Sequence, residues 1–331
     1  MHRRTRTTLW IVVAVLAFLA VAVFLRSKAP PEAARLLPES DGIVYVNFRP
    51  LRALLHKQLT PPVRVPDYQQ FVDATGIDWE RDLDEAAVAL HRMPDPNGPN
   101  GPVAYSMVLA GKLNGKRLNS WLEAHAESRE SYAGHTVFAI SSEGRTVRVA
   151  RIGYDMVAIS NAPTPEQIHS MLDRHRTAAI PFSGSTLLAR HYRDVPLLAL
   201  AWGVGEIGLP FSESGAIQIF GFKLPLEPDS TIVASLAPAL SAKGLLRFRV
   251  EEIAASEQIA AQQAAALTSL IALARGFTPG LSPNAANDSL KQLLKSAEVT
   301  TKGTRVLATA TLSPNLLNGL ASGDNAAQAE K

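Results

Sequence analysis

The sequence predicts an α+β fold in which antiparallel β-sheets carry helices packed on one face, preceded by one transmembrane helix. Strand-like runs with alternating polarity follow one another across short glycine turns, a pattern typical of antiparallel pairing. Amphipathic runs fall between groups of strands, so the regular β-α alternation of a parallel sheet is missing. The third observation, an uncharged apolar run near the N-terminus, predicts the transmembrane helix.

That run spans residues 9–25, begins at Leu9, ends at Leu25 and reads LWIVVAVLAFLAVAVFL. A helix needs about 17–25 apolar residues to cross a bilayer core, so these 17 suffice. Three arginines precede the run and two basic residues follow it. By the positive-inside rule, we expect residues 1–8 in the cytoplasm and the domain that follows the apolar run in the periplasm or outside the cell. We therefore expect a single-pass protein of the bacterial inner membrane.

A cleaved signal peptide is the alternative to this anchor. Its apolar region usually runs about 7–15 residues and ends in a small-x-small cleavage site. Here the apolar run is longer, Arg-Ser-Lys follows it at once, and Pro30 and Pro31 come just beyond. We interpret the run as an uncleaved anchor.

The sequence pI of about 9.2 belongs to the anchor region and not to the domain. Residues 1–28 hold five basic side chains and no acidic one, which leaves 28 basic against 30 acidic residues in the remainder. A domain so close to neutral lacks the basic surface that phosphate binding requires, so we expect no nucleic-acid partner. The chain has no cysteine, which excludes disulfides and thiol catalysis.

The domain divides into two α+β halves, residues 38–178 and 179–320, after a spacer at residues 26–37. In the first half, β-branched and aromatic runs predict strands, and apolar residues at helical spacing predict helices. The predicted strands are 43–48, 86–91, 103–113, 136–141, 146–152 and 156–160, and the predicted helices are 51–59, 68–75, 116–127 and one that begins at Pro165.

The second half appears in the sequence as a similar succession of elements. Its predicted strands are 197–202, 231–236, 245–251, 297–301 and 305–312, and its predicted helices are 187–192, 253–275 and a short last one begun by Ser313-Pro314. Because the succession of strands and helices occurs twice, we predict an internal duplication. Residues 321–331 are polar and small, which predicts a disordered tail.

Several of these runs resemble a known group of proteins. The opening Leu-Pro-Glu-Ser-Asp-Gly-Ile-Val-Tyr-Val-Asn-Phe, the Gly76-Ile77-Asp78 turn, Tyr132-Ala133-Gly134 and Met156-Val157-Ala158-Ile159 carry the likeness. They are similar to bacterial single-pass, membrane-anchored envelope proteins of unknown function, mainly over residues 36–178. The resemblance implies topology and fold, and it implies no catalytic residue.

A G-x-G-x-x-G string is the strongest motif for a cofactor. It runs from Gly203 to Gly208 directly after a predicted strand. A dinucleotide site also needs a helix to begin there, so that the pyrophosphate lies at its N-terminus. Pro210 and a non-helical run follow instead, so we interpret the string as a loop and predict no cofactor.

Acidic and histidine residues raise the question of a metal. Asp78, Glu80, Asp82, Asp84 and Glu85 lie within eight positions, but Leu83 stands where a calcium loop requires glycine. We expect these acids to cap a turn and face water, with a weak calcium site as the alternative. The eight histidines show no i, i+4 pair on a helix, and ligands brought together from distant segments remain open. We predict no metal site.

No catalytic residue is predicted either. Ser183-Gly184-Ser185-Thr186 lacks the G-x-S-x-G nucleophile elbow, and it fits a helix N-cap. Three functions stay open. The first is a non-enzymatic envelope protein that binds or scaffolds another envelope component. The second is a carrier or sensor of an apolar ligand such as lipid, lined by residues 253–275 and 216–222. The third is an unrecognised hydrolase.

Overall fold

The structure is a computed structural model that describes residues 29–55, 66–98, 101–142, 144–177, 184–206, 218–219, 222–223, 230–239, 245–280 and 285–313. The predicted anchor at residues 9–25, the predicted last helix after Ser313 and the tail at residues 321–331 lie outside these ranges. Among the described residues, no helix combines the length and apolar character needed to cross a membrane.

The described chain contains fourteen strands and nine α-helices. The first half has α1 (Glu32–Leu36), β1 (Gly42–Asn47), α2 (Phe48–Leu55), α3 (Pro66–Thr75), α4 (Trp79–Asp82), β2 (Leu83–Arg92), β3 (Val103–Gly111), α5 (Gly115–His125), β4 (Ser128–Tyr132), β5 (His135–Ser142), β6 (Arg145–Ile152), β7 (Met156–Ser160) and α6 (Glu166–Arg176). The second half has α7 (Thr186–His191), a 3₁₀ turn (Tyr192–Asp194), β8 (Ala201–Glu206), β9 (Gln218–Ile219), β10 (Phe222–Lys223), β11 (Thr231–Pro238), β12 (Leu246–Ile253), α8 (Glu257–Phe277), a 3₁₀ turn (Thr278–Gly280), α9 (Ala285–Ser296), β13 (Glu298–Lys302) and β14 (Arg305–Leu312).

Twelve strands form one antiparallel sheet in the order β13-β14-β12-β11-β8-β1-β2-β3-β7-β6-β5-β4, and β9 pairs with β10 alone. The α+β class and the antiparallel pairing are thus confirmed. The predicted division into two main sheets is wrong, because β1 pairs with β2 on one side and with β8 on the other. This β1–β8 contact joins the two halves into a continuous surface.

The sheet has two faces, which we name after neighbouring residues of β1. The tyrosine face bears Tyr45, and the valine face bears Val44, since successive side chains of a strand point to opposite sides. On the tyrosine face, buried residues of α1, α6 and α7 pack against strands β1 to β7. On the valine face, Leu118 and Leu122 of α5 pack with Phe138, and α3 and α4 complete this cluster.

Helices therefore cover both faces of the sheet, and the prediction that they pack on one face is wrong. In the second half, α8 and α9 both lie on the valine face. Leu267 of α8 clusters with Val306, and Leu293 of α9 clusters with Leu246 and Leu312. The physical reason is that the strands are apolar on both sides over most of the sheet, so each side requires cover.

The spacer predicted at residues 26–37 is also corrected in part. Pro31 is the N-cap of α1, where a proline at the start of a helix costs no intrahelical hydrogen bond. Ala34, Leu36 and Leu37 are completely or almost completely buried in the tyrosine-face core. The two prolines therefore introduce a short core helix instead of keeping the chain extended.

The G-x-G-x-x-G string differs from the predicted loop as well. Gly203 and Gly205 belong to the central strand β8, where Gly203 lies opposite Val44 of β1, and the string's last two residues lie outside the described ranges. Strand β8 begins at Ala201, four residues later than predicted. Strand β4 and helix α9 were not predicted, and β4 is a mostly exposed, polar strand at one end of the sheet.

Candidate functional site

A concave groove of about 630 Å³ lies on the tyrosine face of the second half. Cross-strand partners Tyr45, Trp202, Ser235, Arg249 and Thr309 follow one another over five adjacent strands, which shows that the groove shares a face with Tyr45. Among the described residues, no helix packs over this part of the sheet, whereas α1 and α6 cover the corresponding face of the first half.

The floor of the groove is made by three strands and its wall by the segment before β8. The floor side chains are Ser235, Ala237, Arg247, Arg249, Leu307, Thr309 and Thr311, and the wall and rim are Pro196, Leu197, Leu198, Pro238 and Ala239. Leu197 and Leu198 are 55% and 62% exposed. The groove thus combines an apolar wall with hydroxyl groups and two guanidinium groups on its floor.

A charged network lies at one end of this groove, where Arg249 turns toward Glu251. The Arg249 guanidinium donates to Glu251 over 2.5 Å, and Glu251 is only 4% exposed. Nη1 of Arg305 lies 2.6 Å from the other Glu251 oxygen and 2.9 Å from Asp194. These hydrogen bonds raise the pKa of the Arg305 guanidinium, which favours its charged form. The network links β12 and β14 to the 3₁₀ turn at Tyr192–Asp194.

His191 lies near Asp194 of this network, but the two side chains are farther apart than the ion pairs of Arg305. Their nearest atoms, Nδ1 and Oδ2, are 3.8 Å apart, and neither atom has a hydrogen-bond partner among the described residues. Burial lowers the pKa of His191, although the Asp194 charge opposes that effect. The ring is therefore kept neutral by its surroundings, and at this distance the pair does not act as an orienting dyad for catalysis.

Sequence spacing did not reveal a buried serine–histidine pair on the tyrosine face. His91 Nε2 lies 2.9 Å from Ser106 Oγ, and Ser106 Oγ lies 3.1 Å from Ser160 Oγ. Burial lowers the pKa of His91, which favours the neutral ring. A general base must be neutral to accept a proton, so this feature alone is compatible with catalysis. Ser106 is 0% exposed, however, and none of the described pockets reaches it. A substrate cannot approach this hydroxyl, so the contact joins β2, β3 and β7 structurally.

The acidic side chains between Asp78 and Glu85 include several that bind groups of the protein itself. Asp78 accepts from the Glu80 N–H and caps α4, while Asp82 accepts from the Asp78 N–H. Arg49, together with Arg52, holds the pKa of Asp84 below its usual range. The expectation that these acids face water is wrong for Asp78 and Asp82, which are 8% and 7% exposed because they tie the α4 turn together.

The remaining candidates have local structural roles. Ser185 caps α7 as predicted, because its hydroxyl accepts from the Leu188 N–H. His169 lies 2.8 Å from Glu130 and stacks on Tyr132. Within the ranges that the structure describes, no three acidic or histidine side chains are placed to hold a metal ion.

Residues 253–275 and 216–222, which we predicted to line a cavity for an apolar ligand, do not line the groove. No residue of α8 lines the groove, since this helix packs on the valine face. In the predicted run 216–222, only residues 218–219 and 222 are described, and none of them lines the groove. The residues that form the floor of the groove lie instead on β11, β12 and β14, and its wall lies in the segment before β8.

No protein-family model matches the sequence, and no curated protein matches it. Solved structures of TP0453 are similar to this chain. Crystal form III has a TM-score of 0.48 at 13% identity and covers 89% of this chain and 99% of that chain. Crystal form IV has a TM-score of 0.46 at 12% identity, covering 88% and 96%, and crystal form I has 0.45 at 12%, covering 89% and 98%. With TM-scores below 0.5, this likeness carries no inference about function.

Proposed function

We propose that this chain is a membrane-anchored binding or scaffold protein of the bacterial envelope, and not an enzyme. The observation that supports the proposal is the groove between Leu198 and Thr309, which no helix of the described ranges covers and which offers an apolar and polar contact surface. The apolar run at residues 9–25 supports a single-pass anchor in the inner membrane, with the folded domain in the periplasm or outside the cell.

The chemistry of the groove favours a peptide segment of another envelope protein. Leu197 and Leu198 present apolar side chains beside the floor hydroxyls of Ser235 and Thr309, and Arg247 is exposed at the floor. A peptide with leucine-like anchors and amide or acidic groups between them would meet both kinds of contact. Anchoring raises the local concentration of the domain near membrane partners, so a modest affinity suffices.

Site-specific photo-crosslinking in bacterial membranes tests this proposal. A photoreactive residue replaces Leu198 in the full-length protein, and a matched protein carries it at Tyr154, which is 93% exposed on the β6–β7 turn. We expect one envelope protein to be captured from position 198 and not from position 154. The captured protein is then purified and titrated against wild type and Arg247→Glu, and we expect at least a tenfold weaker affinity for the variant.

Equal capture from both positions, or equal affinities for wild type and Arg247→Glu, would contradict a role for the groove. Turnover of an envelope substrate by the purified full-length protein would contradict the non-enzymatic part of the proposal. These two results are independent, because one concerns the place of binding and the other concerns chemistry.

A carrier or sensor of an apolar ligand such as lipid is the second candidate. It is favoured by the groove volume of about 630 Å³, which falls within the roughly 300–1,000 Å³ of small-molecule sites. Leu307 and the Leu197–Leu198 wall would contact an acyl chain, and the guanidinium groups would face an anionic head group. Native mass spectrometry of the full-length protein with added anionic phospholipid tests it. A carrier should retain one lipid in wild type and lose it in Leu307→Asp.

A further inference from the structure

The chain enters the folded domain at the start of α1, on the tyrosine face of the sheet. Glu32 is the first residue of this helix, and Ala33 and Ala34 directly after it are buried in the core. Burial raises the pKa of Glu85 on β2, and the negative charge of Glu32 adds to this effect. The two carboxyl groups are therefore close together, so the start of α1 lies beside the start of β2.

The wall of the groove lies at the same end of the sheet. Glu85 lies opposite Asn47, the last residue of β1. The Asn47 N–H donates to the Leu200 carbonyl over 2.7 Å, and the Leu200 N–H donates to the Leu236 carbonyl over 2.7 Å. Neighbouring strands are about 4.8 Å apart, so Leu200 lies about 10 Å across the sheet from Glu85. The groove wall, just before Leu200, is thus close to the point where the chain enters.

Leu197 and Leu198 are the two middle residues of a turn that is fixed on both sides. The Ala199 N–H donates to the Pro196 carbonyl over 3.0 Å and closes the turn. Before the turn, Asp194 is held by its ion pair to β14, and after it the chain is bonded to β1 and β11. Both leucines are more than half exposed, and exposure of apolar surface to water is unfavourable. This fixed pair of leucines is suited to an apolar neighbour.

The proposed anchor brings such a neighbour within reach. From Leu25, the end of the apolar run, to Pro31, which precedes α1, the chain has six residues. Six residues span at most about 20 Å, so the start of α1 stays within that distance of the membrane surface. The opposite end of β8, at Glu206, lies about 17 Å along the strand from Ala201. The wall and Glu206 therefore lie at opposite ends of the same strand, and the anchor enters at the wall's end.

The charge of the groove also fits a membrane surface. Arg247 is exposed at the floor, and among the described residues no acidic side chain lines the groove. Binding of a protein to a membrane surface grows with the apolar area that it buries and with the attraction between basic side chains and anionic lipids. The leucine pair and Arg247 supply one contact of each kind.

We propose that the groove opens onto the membrane that holds the anchor, with the Leu197–Leu198 turn in the interfacial layer and Arg247 facing phospholipid phosphate. The inference rests on the proposed function in one respect, the single-pass anchor. It goes further, because the membrane is then a partner of the groove itself and fixes the orientation of the domain. A ligand of the groove approaches along the membrane surface.

Fluorescence quenching by membrane lipids tests this orientation in the full-length protein, and the absence of native cysteine makes each introduced thiol unique. Leu198→Cys places a thiol on the turn. Glu206→Cys is the matched control, exposed at the other end of β8. Each thiol carries the same small fluorophore. The protein is reconstituted in vesicles of phosphatidylcholine with one quarter phosphatidylglycerol, and the quencher is phosphatidylcholine with a nitroxide group close to its head group.

We expect the quencher lipid to reduce the emission at position 198 at least twofold and to leave the emission at position 206 almost unchanged. Equal quenching at the two positions, or stronger quenching at position 206, would overturn the proposal. Leu197→Asn, added to the Leu198→Cys protein, removes the neighbouring apolar side chain and should reduce the quenching at position 198 by about half. Unchanged quenching would show that the leucines do not hold the turn in the membrane.

The role of Arg247 is tested by changing the charge of the lipid. With the label at position 198, we expect at least twofold stronger quenching in the vesicles that contain phosphatidylglycerol than in phosphatidylcholine alone. Arg247→Gln should remove this difference. Lys302→Gln is the matched control, exposed beside the start of β14, and it should retain the difference. The same quenching in both lipids, or the same loss in both variants, would overturn the contact between Arg247 and phosphate.

The results separate this inference from the proposed function. If positions 198 and 206 are quenched alike while photo-crosslinking at position 198 still captures one envelope protein, the orientation is wrong and the binding groove stands. If position 198 is quenched selectively while capture is equal at positions 198 and 154, the groove faces the membrane and the protein partner is wrong. Release of the full-length protein from membranes by alkaline carbonate would overturn the anchor and the orientation together.

Discussion

The Arg305 guanidinium donates to the Glu251 carboxylate over 2.6 Å and so joins β14, the last described strand, to the neighbouring strand β12. The same nitrogen reaches Asp194 at 2.9 Å, so one cation holds two carboxylates that are otherwise close in a poorly solvated place. Like charges without a cation between them repel, and burial adds a desolvation cost to each. The end of the groove therefore depends on Arg305.

We expect Arg305→Met to lower the free energy of unfolding. Removing one partner of a buried ion pair costs about 3–5 kcal/mol, and we expect about 2 kcal/mol here because Arg305 is a third exposed and water screens part of the effect. Denaturant unfolding of the full-length protein in detergent measures the loss. Arg249→Met is the control, and it should cost less than about 1 kcal/mol because Arg305 still neutralises Glu251. Equal losses would contradict this division of roles.

His91 makes stability depend on pH. Burial lowers its folded-state pKa, against the opposing effects of the Asp41 charge and a backbone hydrogen bond with Glu39. The unfolded chain then takes up a proton near pH 6.5 while the folded chain does not, so stability is present above about pH 6.5 and is lost as the pH falls below it. His191 acts in the same direction.

The His91→Gln variant should therefore lose less stability than wild type between pH 7 and pH 5, whatever its stability at pH 7. Unfolding curves at several pH values measure the two slopes. If both proteins lose stability in parallel over this range, His91 does not carry the pH dependence.

Ser106 distinguishes a structural contact from a catalytic one. Ser106→Ala leaves His91 Nε2 and Ser160 Oγ without this shared partner, which should cost about 1–3 kcal/mol of stability. We expect wild type and variant to show the same absence of ester or amide hydrolysis in assays with chromogenic substrates. Hydrolysis by wild type that disappears in Ser106→Ala would instead assign a nucleophile to this site.

Gly111 is a position where the backbone of another segment lies too close for a side chain. A Cβ there would come within 2.1 Å of the Asp82 carbonyl oxygen, so either β3 or the end of α4 must move. We expect Gly111→Ala to destabilise the protein by about 2 kcal/mol or more, at the upper part of the usual cost of overpacking. Circular dichroism melting measures the change.

Gly276→Ala is the matched substitution in α8, where nothing lies within 4 Å of the added carbon. Alanine favours a helix over glycine, so this variant should gain up to about 1 kcal/mol. A loss at Gly276 as large as that at Gly111 would show that close packing is not the cause.

Local patterns predicted much of the fold because the relevant contacts are close in sequence. The alternation in residues 146–152 and the glycine turns around it specify the β5-β6-β7 meander. The predicted strands 231–236, 245–251, 297–301 and 305–312 are confirmed as well, and those that follow each other across a short connection pair as β11 with β12 and β13 with β14. The contact between β1 and β8 joins residues more than 150 positions apart, and no local signal specifies it. That contact decides whether there are two sheets or one.

The candidate site could be predicted less well, because it too depends on contacts between residues that are distant in sequence. Ser106 lies opposite Ala89 of β2, two residues before His91, only in one register of the β2–β3 pair. The long Pro-Gly-Asn loop between these strands does not fix that register. The groove exists because no described helix packs over this part of the sheet. Local sequence patterns predict the strands and helices themselves, and they do not predict which part of a sheet has no helix packed on it.

The outermost strands limit how this protein can associate. Strand β4 reads Ser-Arg-Glu-Ser-Tyr and β13 reads Glu-Val-Thr-Thr-Lys, and both are short, largely exposed and charged. Charged side chains at a sheet edge oppose hydrogen bonding with the strand of another molecule. A twelve-stranded sheet ending in such strands is protected against growth into fibres, and complexes of this protein are expected to form through side chains on its surfaces rather than through shared backbone hydrogen bonds.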